Sequence, residues 1–213
     1  MSVLNEKVRN QIIEILKQLE NSVNIVFFTQ EHECNFCKDT RQFLEEVASL
    51  SGKLDLIVHD FVLDNEKAEK YAVDKIPAIV ILDKDYADTG IKFYGLPGGY
   101  EINSFLGSLL EVSGRKDAMP ADIAQRIGKI DKDIHIQVFV TLTCPYCPSA
   151  VATAHRLALE SKKIRADMID TAAFPPLSNR YQVMSVPKIV INESHFLEGA
   201  VPVTEFLNLI EKI

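Results

Sequence analysis

The chain has 213 residues and a formal charge of −7, with 47% hydrophobic against 25% charged residues, the balance of a soluble protein built as one large domain or two small ones. That acidity, with no basic run longer than Arg115–Lys116, excludes a nucleic-acid partner. No apolar run approaches the roughly 18 to 20 residues of a membrane helix, and the N-terminus lacks a signal peptide's apolar core, so the expected location is cytoplasmic, with no membrane partner.

In chain order, Leu4, Val8, Ile12, Ile15 and Leu19 predict one apolar stripe of a first helix. The run VNIVFFTQ (Val23 to Gln30) reads as a strand and leads into QEHECNFCKD, which holds Cys34 and Cys37. Phe43, Leu44, Val47 and Leu50 follow at helical spacing, then a strand LIVHD ending at Asp60, and the acidic run DNEKAEK as a solvated helix start. KYAVDKIPAIVILD carries Pro77 into an apolar strand, and IKFYG (Ile91 to Gly95) reads as its hairpin partner. GLPGG (Gly95 to Gly99) is a glycine-rich turn before a last helix, SFLGSLLEV. SGRKDAMP (Ser113 to Pro120) is a polar link, with Pro120 placed to open the next helix.

The remainder repeats that plan. Ile123, Ile127 and Ile130 form a short stripe; IHIQVFVT (Ile134 to Thr141) answers the first strand and leads into TLTCPYCPSA. Val151, Ala154, Leu157 and Ala158 follow as a helical face, and ADMID closes on Asp170. RYQVMSVPKIVINE then matches KYAVDKIPAIVILD: Tyr181 with Tyr71, Val183 with Val73, Pro187 with Pro77. Cys37 to Pro77 and Cys147 to Pro187 are each 40 positions apart. The implied order in each copy is helix, strand, helix, strand, helix, strand, strand, helix. A strand–helix–strand crossover followed by a hairpin gives an α/β architecture of mixed β-sheets flanked by helices.

All four cysteines lie in the two CxxC motifs, too few for a secreted disulfide scaffold and suited to redox or metal chemistry. A thiol attacks as the thiolate, whose unperturbed pKa is about 8.5. At a helix N-terminus, unpaired N–H groups and the helix dipole contribute up to about 2 kcal/mol, enough to bring that value near 7. Cys34 and Cys144 are the expected nucleophiles; Cys37 and Cys147, one helical turn later, are the expected resolving thiols. Pro145 suits a first turn, whereas in a helix beginning at Cys144, Pro148 would delete the first internal hydrogen bond.

The twice-repeated CxxC with its spaced proline resembles the thioredoxin and glutaredoxin fold, and CPYC is the dipeptide pattern typical of glutaredoxins. Two such units in one chain resemble the glutaredoxin-like protein disulfide oxidoreductases of thermophilic archaea and bacteria. The resemblance implies a tandem thioredoxin-like duplication, with residues 1–115 carrying the CNFC site and 116–213 the CPYC site. It also implies cis bonds before Pro77 and Pro187, with the backbone of Ile76 and Val186 pairing with an extended substrate peptide. Protein disulfides are the expected substrates. No cofactor is expected to be bound, and a thioredoxin-reductase-like flavoprotein is the expected external donor. The expected potential lies between those of thioredoxin and protein disulfide isomerase, about −270 to −180 mV.

The two sites differ in charge. Glu31 and Glu33 flank Cys34 and disfavour its thiolate, while Thr143 and Pro145 beside Cys144 are uncharged, so Cys144 is expected to be the more acidic thiol. Two other readings stay open: an electron relay to a peroxidase, as in the fused pair at the N-terminus of the alkyl hydroperoxide reductase flavoprotein, and a zinc or iron–sulfur module. The relay's relatives keep one CxxC and join a flavin domain not expected here. A single zinc would have to bridge 107 positions between Cys37 and Cys144, far beyond a ribbon's spacing, and the five histidines show no ligand spacing. No metal is expected. GLPGG resembles the glycine pair with which glutaredoxins hold glutathione, but it belongs to the CNFC copy, and a turn after a strand is the preferred reading.

Overall fold

Strand burial alternates between two apolar clusters, and that alternation organises the molecule. The computed structural model describes residues 4–213; the first three residues of the N-terminal stretch lie outside it. The first half runs α1 (Glu6–Leu16), β1 (Val23–Thr29), α2 (Cys37–Ala48), β2 (Leu54–Asp60), α3 (Asn65–Lys70), β3 (Ala78–Leu82), β4 (Asp88–Tyr94) and α4 (Ile102–Val112). The second runs α5 (Ala121–Ile127), β5 (Ile134–Val140), α6 (Cys147–Glu160), β6 (Ile164–Asp170), α7 (Pro175–Arg180), β7 (Lys188–Ile191), β8 (His195–Glu198) and α8 (Val203–Ile210). This is the element order expected from the sequence, twice over.

The sequence did not indicate how the halves meet. They share one mixed eight-stranded sheet, ordered β2-β1-β3-β4-β6-β5-β7-β8, rather than two. Within each half the first strand pairs parallel with the second and antiparallel with the third, which turns back into the fourth. The halves join where β4 runs parallel to β6, with Ile91 opposite Ala166 and Tyr94 opposite Ile169. The repeat is therefore head-to-tail: a trailing strand of the first half meets a leading strand of the second, leaving β2 and β8 as free edges.

Val23, Ile25 and Phe27 of β1 face one apolar cluster shared with α1, α2, α4, α5, α6 and α8. Val26 and Phe28 face the other, which the short helices α3 and α7 cover. The period-2 alternation of strand side chains thus buries both faces of the central strands. No helix among the described residues is long and apolar enough to cross a membrane.

Candidate active site

β1 and β5 point the same way along the sheet, so the loops that leave them open at the same edge. Four strand spacings separate β1 from β5, about 19 Å at roughly 4.8 Å each. Each loop holds a disulfide: Cys34–Cys37 with Cα atoms 5.4 Å apart and Cys144–Cys147 at 5.5 Å. The four sulfurs therefore sit as two separated pairs. Among the described residues no group of three or more His, Cys, Asp or Glu could hold a metal ion.

The helices begin one turn later than the sequence suggested. α2 starts at Cys37 and α6 at Cys147, with Phe36 and Tyr146 at the cap positions. Cys34 and Cys144 lie in the preceding turn, at the mouth of the helix rather than within it. Pro148 is then the second helical residue, where the N–H is unpaired in any helix, and it removes no internal bond. The Cys147 N–H instead donates to Cys144 Sγ at 3.1 Å, so a helix N-terminus faces the outer sulfur.

The peptide bonds Ile76–Pro77 and Val186–Pro187 are both cis. Register brings them to the site: Ala78 pairs with Phe28 and Lys188 with Phe139, which sets each proline beside the end of the strand that leads to the cysteines. Cys144 Sγ lies 3.8 Å from the Val186 carbonyl oxygen. Pro77 and Pro187 are buried, and Ile76 and Val186 are half-buried. Cys37 and Cys147 are buried at 2% and 0% exposure.

The surroundings of the two pairs differ. Cys34 is half-buried in a loop whose Glu31, His32 and Glu33 are all exposed, and Glu33 adopts a left-handed φ of 58°. Cys144 is 8% exposed, and its loop is tied to the first half. The Tyr100 N–H donates to the Leu142 carbonyl oxygen at 2.9 Å. Gly99, with φ +55°, packs so closely there that a Cβ would lie 2.2 Å from that same oxygen. The turn GLPGG is thus not an isolated turn. It braces the CPYC loop of the other half, and the backbone approach requires glycine.

That brace carries a residue the sequence reading missed. Glu101 closes the 3-10 turn Gly99–Glu101, is fully buried, and accepts a hydrogen bond from the Ser104 hydroxyl. Burial pushes its carboxyl up to about 7, the Ser104 bond opposes the shift, and the nearby Asp170 adds to it. Its Oε1 has no hydrogen-bond partner among the described residues. The one signal in the sequence is an acid wedged between a glycine turn and an apolar helix. Asp60 and Asp170, by contrast, do what their matched positions suggest: each accepts from backbone N–H groups of the following turn, Val62 and Leu63 at 2.9 Å and Ala172 at 3.0 Å.

Residues 134–212 match the thioredoxin domain family. Over 97% of its length the chain superposes on a structure of the alkylhydroperoxide reductase AhpF of Enterococcus faecalis, with a TM-score of 0.91, 31% identity and 99% of that chain covered. The chain belongs to the tandem thioredoxin-fold family of redox proteins. Its fold is equally that of a protein disulfide oxidoreductase from Aeropyrum pernix, with a TM-score of 0.89 and 25% identity, covering 99% of this chain and 94% of that one. A Bacillus subtilis protein described as NADH dehydrogenase is 28% identical over 205 residues, 96% of this chain. The chain spans 37% of the length of the curated relatives it matches. Family membership and the paired cysteines support thiol–disulfide redox chemistry at two CxxC motifs.

Proposed function

We propose that the chain is a protein disulfide oxidoreductase in which residues 1–115 and 116–213 each supply one centre. In the reducing direction the Cys144 thiolate attacks a substrate disulfide, forming a mixed disulfide and expelling one substrate thiolate. The Cys147 thiolate then attacks Cys144 Sγ, closing the enzyme disulfide and expelling the second substrate thiolate, so two electrons pass to the substrate. Cys34 and Cys37 play the same parts at the other centre. The backbone of Val186 beside Pro187, and of Ile76 beside Pro77, pairs with the extended substrate. An external dithiol donor restores the enzyme, for which a flavoprotein of the thioredoxin-reductase kind is the reading; no bound cofactor takes part.

One observation supports this reading above the rest. Cys144 Sγ rests between the Cys147 N–H at 3.1 Å and the Val186 carbonyl at 3.8 Å, above a fully buried partner sulfur. An attacking thiolate needs such a donor, and a peptide bound along the cis-proline segment would meet the sulfur there. The test is insulin reduction with dithiothreitol. Catalysis by the wild-type chain that disappears in the double variant Cys34→Ser, Cys144→Ser supports the reading; a rate no faster than dithiothreitol alone refutes it.

The second reading is an electron relay to a peroxidase. The match to the alkylhydroperoxide reductase AhpF at 31% identity favours it. In that case the chain reduces a purified peroxiredoxin's disulfide at least as well as insulin's, with hydroperoxide consumption dependent on it. Turnover of insulin without any peroxiredoxin turnover favours the general oxidoreductase.

A further inference from the structure

The junction between the halves contains a cavity of about 610 Å³ that takes no part in the thiol chemistry. Its walls include Asp88, Thr89 and Gly90 at the start of β4, Ile134 at the start of β5 and Ile164 at the start of β6. The cysteine loops leave the other ends of the strands, so this cavity lies at the opposite pole of the sheet.

Its charge is out of keeping with the chain. Five cations line it: Lys70 from α3, Lys92 from β4, Lys162 and Lys163 from the turn before β6, and Arg165 from β6. Lys163 is paired with Asp133 at 3.1 Å. Among the described residues none of the other four has a carboxylate oxygen within ion-pair distance. Lys92 is only 2% exposed and stands opposite Asp167 in the β4–β6 register, where Asp167 also holds His135 at 2.6 Å. The remaining lining acid, Asp88, turns its Oδ1 to the Gly90 N–H at 2.8 Å. Among the described residues Lys162 hydrogen-bonds only to the Asp88 carbonyl oxygen at 3.3 Å, Arg165 to His135 Nδ1 at 3.2 Å and Lys70 to the Tyr71 hydroxyl at 3.3 Å. In a protein of charge −7, cations gathered without carboxylate partners repel one another and focus a positive potential into the cavity.

We propose that this cavity binds a small phosphorylated ligand whose phosphates engage Lys70, Lys162 and Arg165. A di- or polyphosphate brings the several negative charges that three cations without a carboxylate partner match, and a guanidinium fork with lysine ammonium groups suits phosphate oxygens. The volume falls within the roughly 300 to 1,000 Å³ of small-ligand sites. Gly90 shapes the floor: at φ +76°, a Cβ there would lie 2.7 Å from the Ile164 carbonyl oxygen, so the two halves close together only with glycine.

The test is calorimetric titration of the full chain at low ionic strength with pyrophosphate, ADP and adenosine. Pyrophosphate and ADP bind with one-to-one stoichiometry and adenosine does not. The double variant Lys162→Gln, Arg165→Gln weakens both about tenfold or more, as loss of charged hydrogen bonds does. Lys70→Gln, on a different element, weakens them too, while Lys84→Gln, outside the cavity, leaves them unchanged. All four side chains are exposed, so these variants keep the fold, which circular dichroism verifies. The proposal is overturned if neither phosphate compound binds one-to-one, if adenosine binds as tightly as ADP, or if Lys84→Gln weakens binding as much as the cavity variants.

Discussion

The CNFC and CPYC centres occupy equivalent places in two copies of one fold, yet only the second is built into a junction. The head-to-tail sheet explains why. β6 has β4 on its flank, so the loop after β5 meets the glycine turn and Glu101 of the preceding half; β2 is an edge, and among the described residues the loop after β1 has no comparable backbone tie. The same difference runs down the helices. Eight positions after its second cysteine, α2 carries Glu45, exposed and paired with Arg41 at 2.8 Å. At the matching position α6 carries His155, buried, 3.0 Å from Ser108 of α4 and edge-on to Phe93 of β4. Duplication supplied two similar centres, and docking made them unequal.

The largest test of that inequality is to silence one centre at a time. We expect Cys144→Ser to lower the rate of insulin reduction about tenfold and Cys34→Ser to lower it less than twofold, because the acidic residues beside Cys34 disfavour its thiolate. Stopped-flow rates of alkylation against pH, measured on each single variant, read the two thiols directly. An equal or lower pKa at Cys34 breaks the ordering and makes the acidic residues Glu31 and Glu33 irrelevant to it.

The junction also titrates, with two groups of opposite sense. Burial lowers the His155 imidazole to about 4, with Asp167 and a backbone contact from Lys92 opposing. A folded-state value below the ordinary 6.5 means that stability is complete above pH 6.5 and is lost as pH falls toward 4, by about 3 kcal/mol. His155→Gln, which keeps a partner for Ser108, should lack that portion of the acid loss in urea titrations from pH 7 to 4. Glu101 runs the other way. Its raised value costs stability as pH rises from the unfolded 4.5 through about 7, so Glu101→Gln should be stabilised relative to wild type at pH 8 and not at pH 4. A wild type and variants with parallel pH profiles would remove the junction from this part of the comparison.

Gly99→Ala asks whether the brace matters to chemistry. A methyl group 2.2 Å from the Leu142 carbonyl oxygen, on a left-handed backbone, forces one loop away from the other. A loss of about 1 to 3 kcal/mol is expected. The sharper readout is selective: with Cys34→Ser in the background, Gly99→Ala should slow turnover at Cys144, and with Cys144→Ser it should leave turnover at Cys34 unchanged. Equal slowing in both backgrounds would show a general loss of stability instead.

Much of this was legible in the sequence. The two CxxC motifs, the prolines 40 positions on and the β-branched runs before them are local signals, and local signals fix element type and order. What escaped were the consequences of docking. The helix starts slipped by one turn because Cys34 and Cys144 are positioned by the strand-to-helix turn, not by helical propensity. The role of Gly99 depends on Leu142, 43 positions away, and nothing in GLPGG names that neighbour. The burial of Glu101 and His155 is conferred by the other half, so neither stands out in its local sequence. The nearest thing to a warning was α6 itself, CPSAVATAHRLALE, which carries fewer charges than CKDTRQFLEEVA of α2, as a helix covered on more sides should.

The smallest predicted effect concerns the helix that opens each half, and it separates local from junctional asymmetry. α1 is capped by Asn5, whose side chain accepts from the Val8 N–H at 2.9 Å. α5 is opened by Pro120, which has no side chain able to accept. Asn5→Ala should therefore cost about 1 kcal/mol. Pro120→Ser should change stability by less than about 0.5 kcal/mol, because the added cap is offset by the extra freedom of the unfolded chain once proline is gone. Denaturant midpoints check both. Neither variant should alter the ratio of the rates at Cys34 and Cys144 if that ratio originates at the junction of β4 with β6 and in the charges beside Cys34. A shifted ratio in Asn5→Ala would mean that α1, packed on α4, transmits strain to the brace, and the inequality would then belong to the whole first half rather than to its last turn.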